Sequence, residues 1–309
     1  MDANKLISHA VAPEALETRI KKIIERIKHE GDKPYCTVKQ QLELLEQLQR
    51  FDFGRYLLQN QGINGYWTHY MLTYPWYGKK TGKNNRQEPL SDLERFMLER
   101  APLLLATQQR FEIFLQENQK KVRNDAQLAA IPCGMMGELL YLDYEQIKTI
   151  ALVGIDYDAE TFSDAKLLAK QYGLNSFLKL QHRDAWAIQI ENQLDLISSN
   201  GLTIYEPNQE RVNELYQIFY RALKPNGKLV TSFLTYPPSL SPECEWNLDK
   251  IDQHDLLMQK IIFVDILEAK WQCYCSSKQV EAQLHQVGFK NIEFIYDEAR
   301  MFPTVIAYK

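Results

Sequence analysis

No apolar run in the chain approaches the roughly 18 residues that a membrane-spanning helix needs. The opening stretch, MDANKLISHAVAPEALETRIKK, has no apolar core of the kind a secretory leader carries, so a cytoplasmic protein is expected. Cysteines number five, scattered at 36, 133, 244, 273 and 275, which excludes a disulfide scaffold and points the same way. Cys273 and Cys275 share one face of an expected strand, but two thiols cannot complete a tetrahedral zinc site, and no metal is expected. G-x-G-x-x-G is missing, which argues against a nicotinamide dehydrogenase. Internal repeats and low-complexity tracts are missing too. So is a basic excess: the net charge of −4 divides into +4 over residues 1–125 and −8 over the remainder. That is the wrong footprint for a nucleic-acid enzyme, whose active face carries a basic stripe.

What is present is ordinary globular material. With 45% hydrophobic and 25% charged residues, the 309-residue chain can bury the core of one large domain or of two. The front section reads as helices. Leu16, Ile20, Ile23, Ile24 and Ile27 recur at helical spacing, as do Val38, Leu42, Leu45 and Leu48. Ser91-Asp92-Leu93-Glu94 has the spacing of a capping box, and a long helical run from Leu103 to Val122 follows Pro102. Residues 51–90 are too irregular for a long helix and too aromatic for a floppy linker. From 126 onward, strands and helices alternate, which predicts a doubly wound, mostly parallel sheet. Two closing strands, 291–296 and 304–308, should add an antiparallel edge strand. The division expected is a helical cap or substrate domain over 1–125 and an α/β domain over 126–309, with an insertion at 236–270.

The stretch 126–158 organises the rest. An apolar run stops at a small-residue corner formed by Pro132, Cys133, Gly134, Met135, Met136 and Gly137. A helix-like segment follows, then a second apolar run that closes on Asp156. Glycine lets a backbone approach a ligand, and a helix N-terminus offers free N–H donors. A carboxylate at the end of the second strand suits the paired hydroxyls of a ribose. Gly134 and Asp156 are 22 positions apart, against roughly 20 for a ribose-binding acid.

These residues resemble a class I S-adenosylmethionine-dependent methyltransferase over about 126–309. "IPCGMMGELL" resembles the glycine-rich first motif, and "LVGIDYDAETF" the strand ending in the ribose-binding acid, with Tyr157 beside it. "LQHRDAW" resembles the segment set against adenine, here Asp184, Ala185 and Trp186. "LDLISSNGLTIYEP" stands where the family has its fourth strand, so Ser199, Asn200 and Gly201 should line the pocket. "ALKPNGKLVTSFL" resembles the turn before strand five. The combination of "PCGMMGELL" with "SNGLTIYEP" looks like a bacterial subgroup whose acceptor the motifs do not name. The resemblance implies a Rossmann-like seven-stranded methyltransferase sheet with an N-terminal helical extension, S-adenosylmethionine as cofactor, and a small-molecule or lipid-like acceptor. One departure stands out. Ala130-Ile131-Pro132 replaces the usual acid before the glycines, and proline has no N–H to donate. The cofactor's amino-acid end must then be held by Asn200, or by Tyr66 and Trp67.

Each residue also has a plainer reading. Asp156 can cap a helix, Asp184 can be a loop carboxylate, and Trp186 can pack rather than stack. The aromatic stretch with Tyr66, Trp67, His69, Tyr70, Tyr74, Trp76 and Tyr77 is either packing or an acceptor lid attractive to cations, with Tyr66, Trp67, Tyr70 and Tyr205 as substrate contacts. His69, Tyr205 and Asn200 are the candidates for a chemical role, and His254 is a further possible base. Three functions stay open: methylation of a small molecule, methylation of protein or RNA, and cofactor binding without turnover. The RNA and protein reading is weakened because Ser199-Asn200-Gly201-Leu202 replaces Asn-Pro-Pro-Tyr.

Overall fold

The computed structural model describes residues 14–309; the expectation about a secretory leader falls on a stretch that begins with residues 1–13, outside those described. The chain forms two compact units. The first gathers the described residues up to Ile63, Tyr70–Gln108 and Leu248–Gln272, and the second gathers Asn64–His69, Gln109–Asn247 and Cys273–Lys309.

The front section folds as α1 (Leu16–Glu30), α2 (Val38–Leu48), α3 (Asp52–Asn60), α4 (Gly65–Thr73), α5 (Gly78–Thr81), α6 (Asp92–Glu99) and α7 (Pro102–Gln119). The isoleucine stripe of α1 buries Ile23 and Ile27, and the leucine stripe of α2 buries Leu45 and Leu48. Thr37 and Gln40 close a capping box on α2, and Ser91 accepts from the Glu94 amide at 3.2 Å to start α6. The aromatic stretch 51–90 is helical in short pieces, and left-handed Gln61 and Gly82 end two of them, α3 and α5. In the same unit α11 (Gln253–Lys260) continues into a π-helical turn, Ile261–Ile266. Arg26 donates to the Asp265 and Ile266 carbonyls at 2.7 and 2.9 Å and so satisfies that turn's end.

The second unit holds a seven-stranded sheet. In chain order its elements are β1 (Ala126–Ala130), α8 (Gly137–Leu140), β2 (Ile150–Asp156), α9 (Phe162–Gln171), β3 (Leu178–His182), β4 (Leu194–Ser199), α10 (Gln209–Ala222), β5 (Leu223–Ser232), α12 (Ser277–Val287), β6 (Lys290–Ile295) and β7 (Thr304–Tyr308). The strand order is β3-β2-β1-β4-β5-β7-β6. The β1 pairings are parallel, with Leu128 beside Leu152 on one side and Leu196 on the other. Those leucines, fully buried, pack with Phe114 of α7, Leu139 and Leu140 of α8, and Ala169 of α9.

The closing pair joins the sheet by antiparallel pairing. The antiparallel strand β7 lies between β5 and β6, and β6 takes the edge. Burial accounts for the order: TVIAY is apolar enough for a central place, whereas KNIEFI exposes Lys290, Asn291 and Glu293.

Candidate functional site

The corner after β1 is built by close backbone approach. The Cys133 amide donates to the Ile155 carbonyl at 3.0 Å, which ties the corner to the end of β2. Gly134 has φ +46°, and a Cβ placed on Gly65 would lie 2.6 Å from the Gly134 Cα. The Gly134 amide donates to one Asp156 carboxylate oxygen at 2.8 Å, and the Asp158 amide donates to the other at 2.9 Å. Asp156 is half-buried, so its carboxylate stands beside the corner rather than in bulk water. Pro132 follows a cis peptide bond and is half-buried. Met136 turns inward and is fully buried: a Cβ on Gly154 would meet its sulfur at 2.6 Å. Met136 thus fills the sheet's core below the corner. Cys133 is buried as well, and burial drives its thiol pKa well up, so it stays protonated.

Beyond β3, Asp184 accepts from the Trp186 amide at 2.9 Å and caps the short turn containing Ala185. The Trp186 indole N–H donates to the Arg211 carbonyl at 2.9 Å. The Arg211 guanidinium lies 4.7 Å from the indole centroid and covers one face of the ring. Tyr157, 42% exposed, is an edge neighbour of His182.

At the end of β4, Ser199 and Asn200 each carry a buried side-chain oxygen with no hydrogen-bond partner. Gly201 follows with φ +78° and opens the short turn that ends on half-buried Tyr205. Arg110 of α7 comes to this place: a Cβ on Gly201 would lie 3.3 Å from its Nη1. Glu138, the second residue of α8, is buried too, and burial pushes its carboxyl up to about 7. Neither Arg110 nor Glu138 was anticipated from the sequence. The available signal was spacing: Arg110, Phe114 and Asn118 form one i, i+4 row in which all three are buried.

The aromatic candidates part company. Tyr70 belongs to the helical unit, where its hydroxyl donates to Glu94 at 2.9 Å. Tyr66, Trp67 and His69 belong to the sheet unit. Trp67 is buried edge-on to Tyr66, their ring centroids 5.0 Å apart. The His69 Nε2 is 2.6 Å from the Tyr141 hydroxyl, and a Cβ on Gly137 would reach the His69 ring at 3.5 Å. Burial lowers the His69 pKa to about 4, so the ring is neutral at pH 7. His254 lies on α11, in the helical unit. Among the described residues no group of His, Cys, Asp or Glu could hold a metal ion. No helix there is long and apolar enough to cross a membrane.

A possible exported protein from Bordetella parapertussis is 40% identical over 97% of this chain and 99% of that one, with a TM-score of 0.88. The chain belongs to that protein's family. Remoter likenesses include the methyltransferase SibL, at 14% identity, TM-score 0.49, 89% of this chain and 78% of that one. Another is the N-methyltransferase NodS from Bradyrhizobium japonicum, at 14% identity, TM-score 0.46, 70% of this chain and 96% of that one. No protein-family model matches the chain, and no curated protein matches it. The strand order, with antiparallel β7 between β5 and β6, is that of the class I methyltransferase sheet.

Proposed function

We propose that the chain is an S-adenosylmethionine-dependent methyltransferase acting on a small-molecule acceptor. The observation that carries the reading is the carboxylate of Asp156 held against the left-handed corner at Gly134. This pair lies at the carboxyl ends of β1 and β2, beside the point where the order turns from β1 toward β4. Open α/β sheets bind their ligands at that switch point.

The residues present fit the cofactor. The corner lets backbone approach a nucleoside closely, and Asp156 offers oxygens to the ribose hydroxyls. Asp184, Ala185 and the indole of Trp186 suit the adenine, with Tyr157 at the rim. The orphaned oxygens of Ser199 and Asn200 are acceptors in search of donors, and an ammonium on the amino-acid end would supply them. Asn200 therefore takes the role left empty by Pro132. When bound, the cofactor supplies an electrophilic methyl group on a sulfonium. The chain's own contribution is to align the acceptor at the ends of β4 and β5 and to exclude water. Tyr205 and Tyr66 would line that place. His69, neutral and engaged with Tyr141, suits holding the corner's aromatic packing better than accepting a proton.

The test is calorimetric titration with S-adenosylhomocysteine. Asp156→Ala should lose at least about tenfold in affinity, the value of one or more charge-assisted hydrogen bonds. Asp156→Asn, which keeps an acceptor for the Gly134 amide, separates ribose binding from support of the corner. Unaltered affinity in both variants would sink the assignment.

A further inference from the structure

Arg110 is a buried cation without a matched anion. It is 3% exposed, its Nη1 donates to the Ser232 hydroxyl at 3.3 Å, and its guanidinium carbon lies 3.7 Å from the centroid of the Phe302 ring. Its Nε is buried with no hydrogen-bond partner. Two carboxylates and the Tyr205 hydroxyl act on it through space, and neither carboxylate is paired with it among the described residues. The Asp297 carboxylate is spent on the Met301 and Phe302 amides, at 3.1 and 2.7 Å. Glu138 is itself pushed toward its neutral form by burial. Desolvation pulls Arg110 down to about 9, which still leaves it charged at pH 7. Burying a charge in this state is costly unless something compensates for it.

Its position names the end of the site it serves. Arg110 meets Gly201 just after β4 and Ser232 at the end of β5. Asp156 closes β2, on the far side of β1. With strands about 4.8 Å apart, the ends of β2 and β5 are separated by about 14 Å. The guanidinium therefore stands three strands away from the acid that would hold a ribose, toward the end of the site where a cofactor's amino-acid tail and an acceptor would lie.

We propose that Arg110, fixed by Ser232 and stacked on Phe302, is the receptor for a carboxylate at the ends of β4 and β5. This rests on the methyltransferase reading. Guanidinium is suited to the task because its planar fork meets a carboxylate with two parallel N–H donors, and Nε with a neighbouring Nη forms such an edge. The carboxylate has two sources: the amino-acid tail of the cofactor, or the acceptor itself.

The test uses the full chain and two nucleosides, S-adenosylhomocysteine, which carries the tail, and methylthioadenosine, which lacks it. If the tail is the source, wild type prefers the former, and Arg110→Met weakens it on the order of 10- to 100-fold while methylthioadenosine is unchanged. If the acceptor is the source, both nucleosides bind the variant normally. Methyl transfer across carboxylic acids and their matched amides then favours the acids in wild type, and Arg110→Met loses that preference through KM. Arg110→Lys keeps the charge without the fork and should recover only part of either effect. The nucleoside comparison in wild type needs no variant, so it survives any folding defect. Equal binding of both nucleosides, with no acid-over-amide preference, overturns the proposal alone. Wild type that binds neither nucleoside overturns the methyltransferase reading and this proposal with it.

Discussion

The Glu138 carboxyl carries a pH signature that can be read from stability alone. Burial raises its folded-state value to about 7, against about 4.3 for an unperturbed glutamate. Between those values the folded chain holds a proton that the unfolded chain has released, so stability falls as pH rises through the window. Burial does the opposite to His69. With a folded value near 4 against about 6.5 unfolded, the unfolded chain binds the extra proton, and stability rises with pH across that range. The two slopes oppose each other in wild type. Glu138→Gln removes one of them, so the variant should exceed wild type by about 2–4 kcal/mol at pH 8 and match it near pH 4. Urea midpoints across pH 4–8 would measure this; parallel curves would refute it. At this scale the sequence shows Asp156, because a carboxylate ending an apolar strand stands out against its neighbours. It hides Arg110 and Glu138, because a charge on a helix is solvated by default and only tertiary packing buries it.

An element's fate depends on what it must bury. The alternation of strands and helices after residue 126 was legible because parallel strands have to be apolar on both faces, and the capping residues marked where helices start. The order of the last two strands was not. It follows from a competition between TVIAY and KNIEFI for a covered position, which neither segment declares alone. The corner's methionines were similarly opaque, since their direction depends on the strand beneath them. Gly154 in β2 leaves room for the Met136 sulfur: an added Cβ would lie 2.6 Å from it, 2.6 Å from a Leu180 methyl and 3.0 Å from the Cys133 sulfur. Gly154→Ala should therefore cost about 1–3 kcal/mol through overpacking. Part of that should return in a Met136→Leu background, because residues in contact do not act additively. Denaturation midpoints of the two singles and the double decide it, and strict additivity would show that the Met136 side chain yields freely.

At the scale of the whole molecule, the compact units do not follow the order of the chain. Residues 109–125 precede β1, yet they belong to the sheet unit. Phe114 of α7 is fully buried in the core that covers β1, β2 and β4. Lys228 of β5, also fully buried, donates to the Glu117 carboxylate at 2.7 Å and to the Glu117 carbonyl at 2.9 Å. The Asn118 amide group donates to the Ser198 hydroxyl at 3.0 Å and to the Glu138 carbonyl at 3.1 Å, joining β4 to α8. A fragment beginning at residue 126 would lose all of these at once. Losing the phenylalanine alone costs about 3–5 kcal/mol, and stranding a buried lysine costs a similar amount. A whole domain is stable by only about 5–15 kcal/mol. The fragment 126–309 should consequently show no cooperative thermal transition by near-ultraviolet circular dichroism, although every strand of the sheet is present in it. A sharp transition from that fragment would mean that α7 is dispensable to the sheet, and that Arg110 reaches the ends of β4 and β5 from an ornament rather than from the core.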